Sequence, residues 1–254
     1  MADPICHQYS RMKKFFVATL FTLICMAGIG QEKLFPNKNW VNRRRLHEGS
    51  YTMKWYVTVD TLRKEMGSIK TTVDILKKEA KVSIVQQIRM AESGGRWVDS
   101  TLVNLYDFSP VYHSSSNAQR MMRLKFTRNN VEVVYVPTDK APIALHESVG
   151  GGFFNSSFYP FFFQWLDIYP EYSAQINIYD YSPEKHGILK AWIRKVEEVD
   201  YKNDLGNTTR AWKITVQDEV MPAATALYFV AVKDHRLLQI DINMGTTTMQ
   251  MIRD

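Results

Sequence analysis

Few side chains in this sequence have the types and spacing that chemistry needs. Six histidines, His7, His47, His113, His146, His186 and His235, are scattered through 254 residues, and no two stand at an HxH or HExxH spacing. Neither a metal centre nor a cofactor is expected. His113 precedes Ser114, Ser115 and Ser116, a base beside hydroxyls, which is the raw material of an activated nucleophile. No GxSxG elbow accompanies it, so the stretch reads as a polar strand end. His146 and Glu147 lead into Gly150, Gly151 and Gly152, but the Lys-Ser/Thr of a phosphate-cradling loop is missing, and the glycines read as a hinge. Glu197 and Glu198 are adjacent in a strand, so they point to opposite faces and cannot act on one glycosidic bond. No catalytic residue is assigned. A hydrolase using His146 with Glu147, or His113, ranks third among the functional readings.

The aromatic residues carry more information. They make up 13% of the chain, and ten of the twenty residues from Phe153 to Tyr172 are aromatic. Phe158, Phe161, Phe162, Trp165 and Tyr169 follow helical spacing, with Pro160 tolerable in a first turn and Pro170 ending the run. One short, very apolar helix is expected, and at least two of Phe161, Phe162 and Phe163 must bury against a sheet or a ligand. Trp55, Trp192 and Trp212 are assigned by alternation to the concave face of that sheet. Phe158, Phe162, Trp165, Trp55, Trp192 and Trp212 are therefore the candidate ligand-binding residues. The same six would equally make a packed core, and the sequence leaves both open.

The elements that must position them are strands. Tyr51, Met53, Trp55, Val57 and Val59 alternate with polar residues, the signature of a half-buried antiparallel strand. The pattern recurs at Val82 to Ile88, Thr101 to Leu105, Met122 to Phe126 and Val131 to Tyr135. It returns at Ile176 and Ile178, Leu189 to Val199, Trp212 to Val216, Ala226 to Val232, Leu238 to Ile242, and Met249 with Met251. Short connectors such as Ser93-Gly94-Gly95 and Arg128-Asn129-Asn130 carry hairpin chemistry. The expectation is a mainly β fold: a curved antiparallel meander, half-barrel or open barrel, of about 11–12 strands, with one short aromatic helix packed on or in it. No alternation of strands with long helices argues for a parallel α/β fold.

Residues Met12 to Gly30 have the basic start, apolar run from Phe15 to Ala27 and small Gly28 and Gly30 of a secretory signal peptide, with Met1 to Arg11 an upstream extension. An apolar run of this length is short for a bilayer span. The expected organisation is thus an extension and signal peptide over 1–30, an irregular arm over 31–49 and a single β-rich domain over 50–254. Cys6 and Cys25 both precede Gln31, and the large residues before Cys25 argue against lipidation there. A mature chain without cysteine offers no disulfide, thiolate metal site or cysteine nucleophile, which suits a bacterial periplasm, cell surface or extracellular space. Asn155-Ser156-Ser157 and Asn207-Thr208-Thr209 fit the N-glycosylation pattern, which bears only on a eukaryotic secretory route. Removal of residues 1–30 leaves a net charge of +4. Apart from Arg43, Arg44 and Arg45, read as a solvated linker, the positive charges are dispersed, so no nucleic-acid partner is expected.

Trp97-Val-Asp-Ser-Thr-Leu-Val-Asn-Leu, Pro110-Val-Tyr-His and Arg120-Met-Met-Arg-Leu-Lys-Phe, followed by Ala211-Trp-Lys-Ile-Thr-Val, Tyr228-Phe-Val and Arg236-Leu-Leu-Gln-Ile, complete a pattern. It resembles the bacterial exported proteins of unknown function whose sheet is similar to the half-barrel of the periplasmic lipoprotein carriers, the Lol system. The resemblance implies a half-barrel and supplies no catalytic residues. The leading expectation is an exported envelope protein that binds an apolar or amphiphilic ligand, a lipid or lipidated peptide. The alternative is a non-catalytic structural or interaction module of the envelope, with an envelope protein as partner.

Overall fold

The computed structural model describes residues 32–36 and 41–254. The expected signal peptide and its expected cleavage point fall outside the described residues. Glu32–Asp254 forms a compact unit built on one sheet of 16 strands, more than the eleven or twelve expected. The arm opens with β1 (Glu32–Leu34). A run of eight strands then pairs strictly in sequence: β2 (Gly49–Val59), β3 (Leu62–Leu76), β4 (Lys81–Met90), β5 (Arg96–Asn104), β6 (Pro110–Ser116), β7 (Arg120–Phe126), β8 (Asn130–Pro137) and β9 (Ile143–Ser148). The connecting segment carries β10 (Phe154–Asn155) and the one-turn helix α1 (Tyr159–Phe162). Six more strands follow as a second meander: β11 (Ala174–Tyr181), β12 (His186–Lys202), β13 (Thr208–Asp218), β14 (Thr225–Ala231), β15 (Leu237–Met244) and β16 (Thr247–Arg253). The last strand, β16, pairs antiparallel with β2 and welds the two meanders together.

Alternation and register decide what faces inward. Val73, Ile84, Thr101, His113, Leu124 and Val133 are paired in one row across β3 to β8 and are all buried. A second row joins Val196, Ile214, Tyr228, Ile240, Met251 and Trp55 across β12 to β2. Gly67 lies at a bulge opposite Trp55, and any Cβ there would meet the Arg89 carbonyl oxygen at 1.9 Å. Only glycine allows that close approach.

The connecting segment fills the trough. Phe154, Phe158, Phe162 and Phe163 are fully buried and meet in tilted and T-shaped pairs, with ring centroids at 5.1 Å for Phe154 and Phe162 and 4.7 Å for Phe163 and Tyr228. The expected aromatic helix is shorter than its spacing suggested. Its helical bonds continue to Leu166, whose amide donates to the Phe162 carbonyl at 3.1 Å, and Tyr169 stands exposed beyond it. Among the contacts that tether this plug, the Gln164 side chain accepts the Leu237 amide at 3.1 Å, and the Asn42 amide donates to the Trp165 carbonyl at 2.9 Å. The arm over 31–49, expected to be irregular, therefore has work to do. Its β1 pairs parallel with β11, burying Leu34, and Arg43–Arg45 form a 3-10 turn capped by the Asn42 side chain.

Between β9 and β11 there is no backbone pairing, and the barrel stays open in its hydrogen bonds. Side chains bridge the seam. Tyr179 and Tyr181 pack with Phe126, Val131, Val133 and Phe153, and the Tyr179 hydroxyl donates to Glu147 at 2.5 Å.

Candidate functional site

The polar residues singled out for chemistry resolve into structural partners. His113 is buried on the inner face of β6, its Nδ1 2.9 Å from the Thr101 hydroxyl on the neighbouring strand. Burial pushes its pKa down to about 4, Arg120 adding to the shift and Asp99 opposing it. Ser114 alternates to the other face, and Ser115, inward like His113, accepts the Trp97 indole N–H at 2.9 Å. That indole also donates to Asp99 at 2.7 Å. His113 is thus coupled to a threonine, and no serine hydroxyl is bonded to it among the described residues. His146 points outward opposite Glu132, whereas Glu147 accepts the Tyr179 hydroxyl. Glu197 bridges Lys195 and Lys213, and Glu198 pairs with Arg210 across β12 and β13. Among the described residues no three His, Cys, Asp or Glu side chains converge to hold a metal.

The six aromatic candidates separate. Phe158, Phe162 and Trp165 come together in the packed plug, within about 6 Å of one another's neighbours: Phe158 to Phe162 at 6.0 Å and Phe158 to Trp165 at 6.1 Å. Trp55 and Trp212 lie on the concave face, half-buried, and Trp212 packs against the core. Trp192 does not belong with them. Its neighbours Ala191 and Ile193 are the buried ones, so Trp192 faces the convex side, where the Arg194 guanidinium stacks 4.6 Å from its ring. The β12 strand is buried on its other face at the adjacent positions, and apolar character alone does not reveal which parity points in.

A cleft of about 230 Å³ does open beside the plug, lined by other residues. Pro160 and Phe161 form one wall, and Met53, Ile69, Ile240, Ile242 and Met251 line the sheet side. Thr71, Gln86, Asp99 and Ser157 supply the polar positions. Tyr51 contributes a buried hydroxyl that makes no hydrogen bond of good geometry among the described residues, with the Thr71 and Gln164 side chains beside it. Burial raises its pKa, opposed by neighbouring Thr71, Gln164 and Arg253. The phenol therefore stays a neutral donor. Trp165 lines a second cleft on the far side of Tyr51, and none of the other five candidates lines either one. Tyr51 and Met53 share a face with Trp55, and Met251 alternates with Met249, so part of this lining was written in the strand period. The wall from Phe161 was not, since it depends on how the connecting segment enters the trough. Two larger hollows, of about 810 and 690 Å³, are walled by hairpin ends such as Asp139, Lys140 and Glu184, or Asp107, Ser109 and Arg128.

No helix among the described residues is long and apolar enough to cross a membrane. A comparison with curated proteins finds no match. Among solved structures, the crystal structure of a beta-barrel-like protein of the domain of unknown function DUF1849 from Brucella abortus superposes with a TM-score of 0.47 at 9% identity. That superposition covers 83% of this chain and 97% of the other. Residues 50–252, running from the first long strand to the last, match the family described as protein of unknown function (DUF3108), and the protein belongs to that family.

Proposed function

We propose that this protein holds the apolar part of a ligand, an acyl chain or the chain of a lipidated peptide, in the cleft between α1 and the sheet. The observation that carries the reading is an apolar hollow on the concave face, walled by Pro160 and Phe161 and left unfilled by an otherwise tightly packed plug. Its volume of about 230 Å³ exceeds the ~150 Å³ of a cavity that takes benzene. It falls below the ~300–1,000 Å³ of pockets for whole drug-sized molecules. One chain, or part of one, fits that range. Burial at roughly 25 cal/mol per Å² would drive binding. The half-barrel resemblance to periplasmic lipoprotein carriers and the signal-peptide pattern of residues 12–30 support an exported setting, the periplasm or cell surface of a bacterium.

The test is displacement of a fluorescent fatty-acid probe, together with solvent extraction and mass spectrometry of the purified protein. Wild type binds the probe, and Ile242→Trp, which fills the cleft from the sheet side, loses binding while unfolding normally. A wild-type protein that neither binds the probe nor carries lipid overturns the reading. N-terminal sequencing of the same preparation begins at or near Gln31 if export processing occurs; a start at Met12 removes that part. The solid packing of Phe158, Phe162 and Phe163 favours the second reading, a structural or interaction module of the envelope. It predicts no probe binding and a specific envelope protein recovered by cross-linking in cells.

A further inference from the structure

The second cleft, of about 310 Å³, gathers basic side chains where the first is apolar. Arg45, His47, His235, Arg236 and Arg253 line it, with Glu48 and Asp234 as its carboxylates, and Tyr51 lines both clefts. Most of these charges are already engaged. Arg45 bonds Asp167 at 2.9 Å and the Leu166 carbonyl, Arg236 lies 3.3 Å from Asp234, and Glu48 accepts the Ile75 amide at 2.9 Å. Arg253 is different. Its Nη1 donates to the Leu237 carbonyl at 3.3 Å and its guanidinium stacks 4.4 Å from the Tyr51 ring centroid, with no carboxylate within 4.0 Å among the described residues. Half-burial disfavours its charge and Arg236 adds repulsion, while Tyr51 and the more distant Asp234 carboxylate favour it.

Two buried polar atoms at this cleft make no hydrogen bond of good geometry among the described residues: the Tyr51 hydroxyl, which has the Thr71 and Gln164 side chains beside it, and His235 Nδ1. His235 is also held in the left-handed region, at φ 56°, by its amide's bond to the Ala231 carbonyl at 3.0 Å. A guanidinium with no carboxylate partner, a phenolic O–H and an imidazole nitrogen, partly removed from water, are together the groups that anionic oxygens complete.

We propose that the two clefts form one site for a single-chain anionic amphiphile, its alkyl chain against Pro160 and Phe161 and its carboxylate or phosphate head on Arg253, Tyr51 and His235. This rests on the reading of the apolar cleft under Proposed function and names the ligand class for it. The shared chemistry is an anionic oxygen cluster at the end of one chain, and Tyr51 is the gatepost between chain and head.

The experiment measures affinities of the full chain for octanoate, octyl phosphate, octanol and octyltrimethylammonium by calorimetry. Both anions are expected to bind at least ten-fold more tightly than octanol, and the cation more weakly than octanol. The tighter of octanoate and octyl phosphate identifies the head. Raising the salt concentration weakens the anions and leaves octanol unaffected, a readout that needs no variant. Arg253→Gln brings anion affinity down to the octanol level. Tyr51→Phe, which removes one oxygen and keeps the ring, lowers it several-fold. Equal affinity of wild type for octanol and the anions overturns this proposal and leaves the apolar cleft standing. Failure of all four to bind overturns both.

Discussion

His113 shows how one inward side chain sets a pH dependence. Burial holds its folded pKa near 4, and in the unfolded chain an imidazole titrates near 6.5. Between those values the unfolded state binds a proton that the folded state refuses. Stability from this residue is therefore fully present above about pH 6.5 and lost as pH falls to about 4. At ~1.4 kcal/mol per unit, the loss comes to about 3 kcal/mol. His113→Asn keeps a hydrogen-bonding partner for Thr101 and removes the titration. Urea unfolding between pH 7 and 4 should show wild type losing about 3 kcal/mol more than the variant; parallel curves would mean that the imidazole is already charged or exposed when folded. The sequence marked His113 for a different reason, its serines. What the neighbouring strands contribute, Thr101 on one side and Leu124 on the other, has no local signature.

At the scale of elements, the strands that the sequence revealed are those whose inward positions are apolar. β2, β4, β7 and β8 bury Met53, Val82, Ile84, Met122, Leu124, Val131 and Val133, and period-two alternation finds them. β6 escaped because His113 and Ser115 occupy its inward positions, and β3 because Thr71 is buried among its Lys and Asp neighbours and the Gly67 bulge breaks its period. β1 and β10 are too short to carry a pattern, and the exposed edge strand β9 has no need of one. The aromatic plug was legible as an apolar element. Its brevity was not, since helical spacing is also satisfied by turns packed inside a trough. Phe162 tests that packing. It is completely buried, with rings of Phe154, Phe158 and Phe163 at 5.1 to 6.0 Å. Phe162→Ala should cost about 3–5 kcal/mol in denaturant unfolding, the figure for a filled core. A loss below ~1 kcal/mol would mean that the plug is loosely seated, with spare volume around it.

Across the whole molecule, the order of strands closes on itself in sequence and stays open in space. β11 to β16 and β2 to β9 form two meanders, joined where the last strand meets the first long one. The segment that links β9 to β11 adds only the two-residue β10 to the sheet, beside β11, and otherwise drops inside and becomes the plug. Local sequence foretold hairpins such as those at Ser93–Gly95 and Arg128–Asn130 but neither those made by β3, β6 and β9 nor the β16–β2 weld, and pairing across most of the chain leaves no short-range trace. The weld leaves β9 at one edge of the sheet and β11, whose outer side carries only the short β1 and β10, near the other, with no backbone bonds between β9 and β11. Closure falls to side chains, and the Tyr179–Glu147 bond, with a hydroxyl pKa pushed up by burial and by the carboxylate it serves, is the polar part of that closure. Tyr179→Phe keeps the ring contacts with Phe126 and Phe153 and removes only the donor, leaving Glu147 half-buried and unbonded to it. The local cost of about 1–3 kcal/mol falls on the seam. Hydrogen exchange should speed up at the amides of β8 and β9, which have no neighbour beyond them, while β2, β3 and β4 in the middle of the sheet exchange as before. Uniform acceleration across all strands would mean that the barrel opens as one unit, and that the seam is not its weakest line.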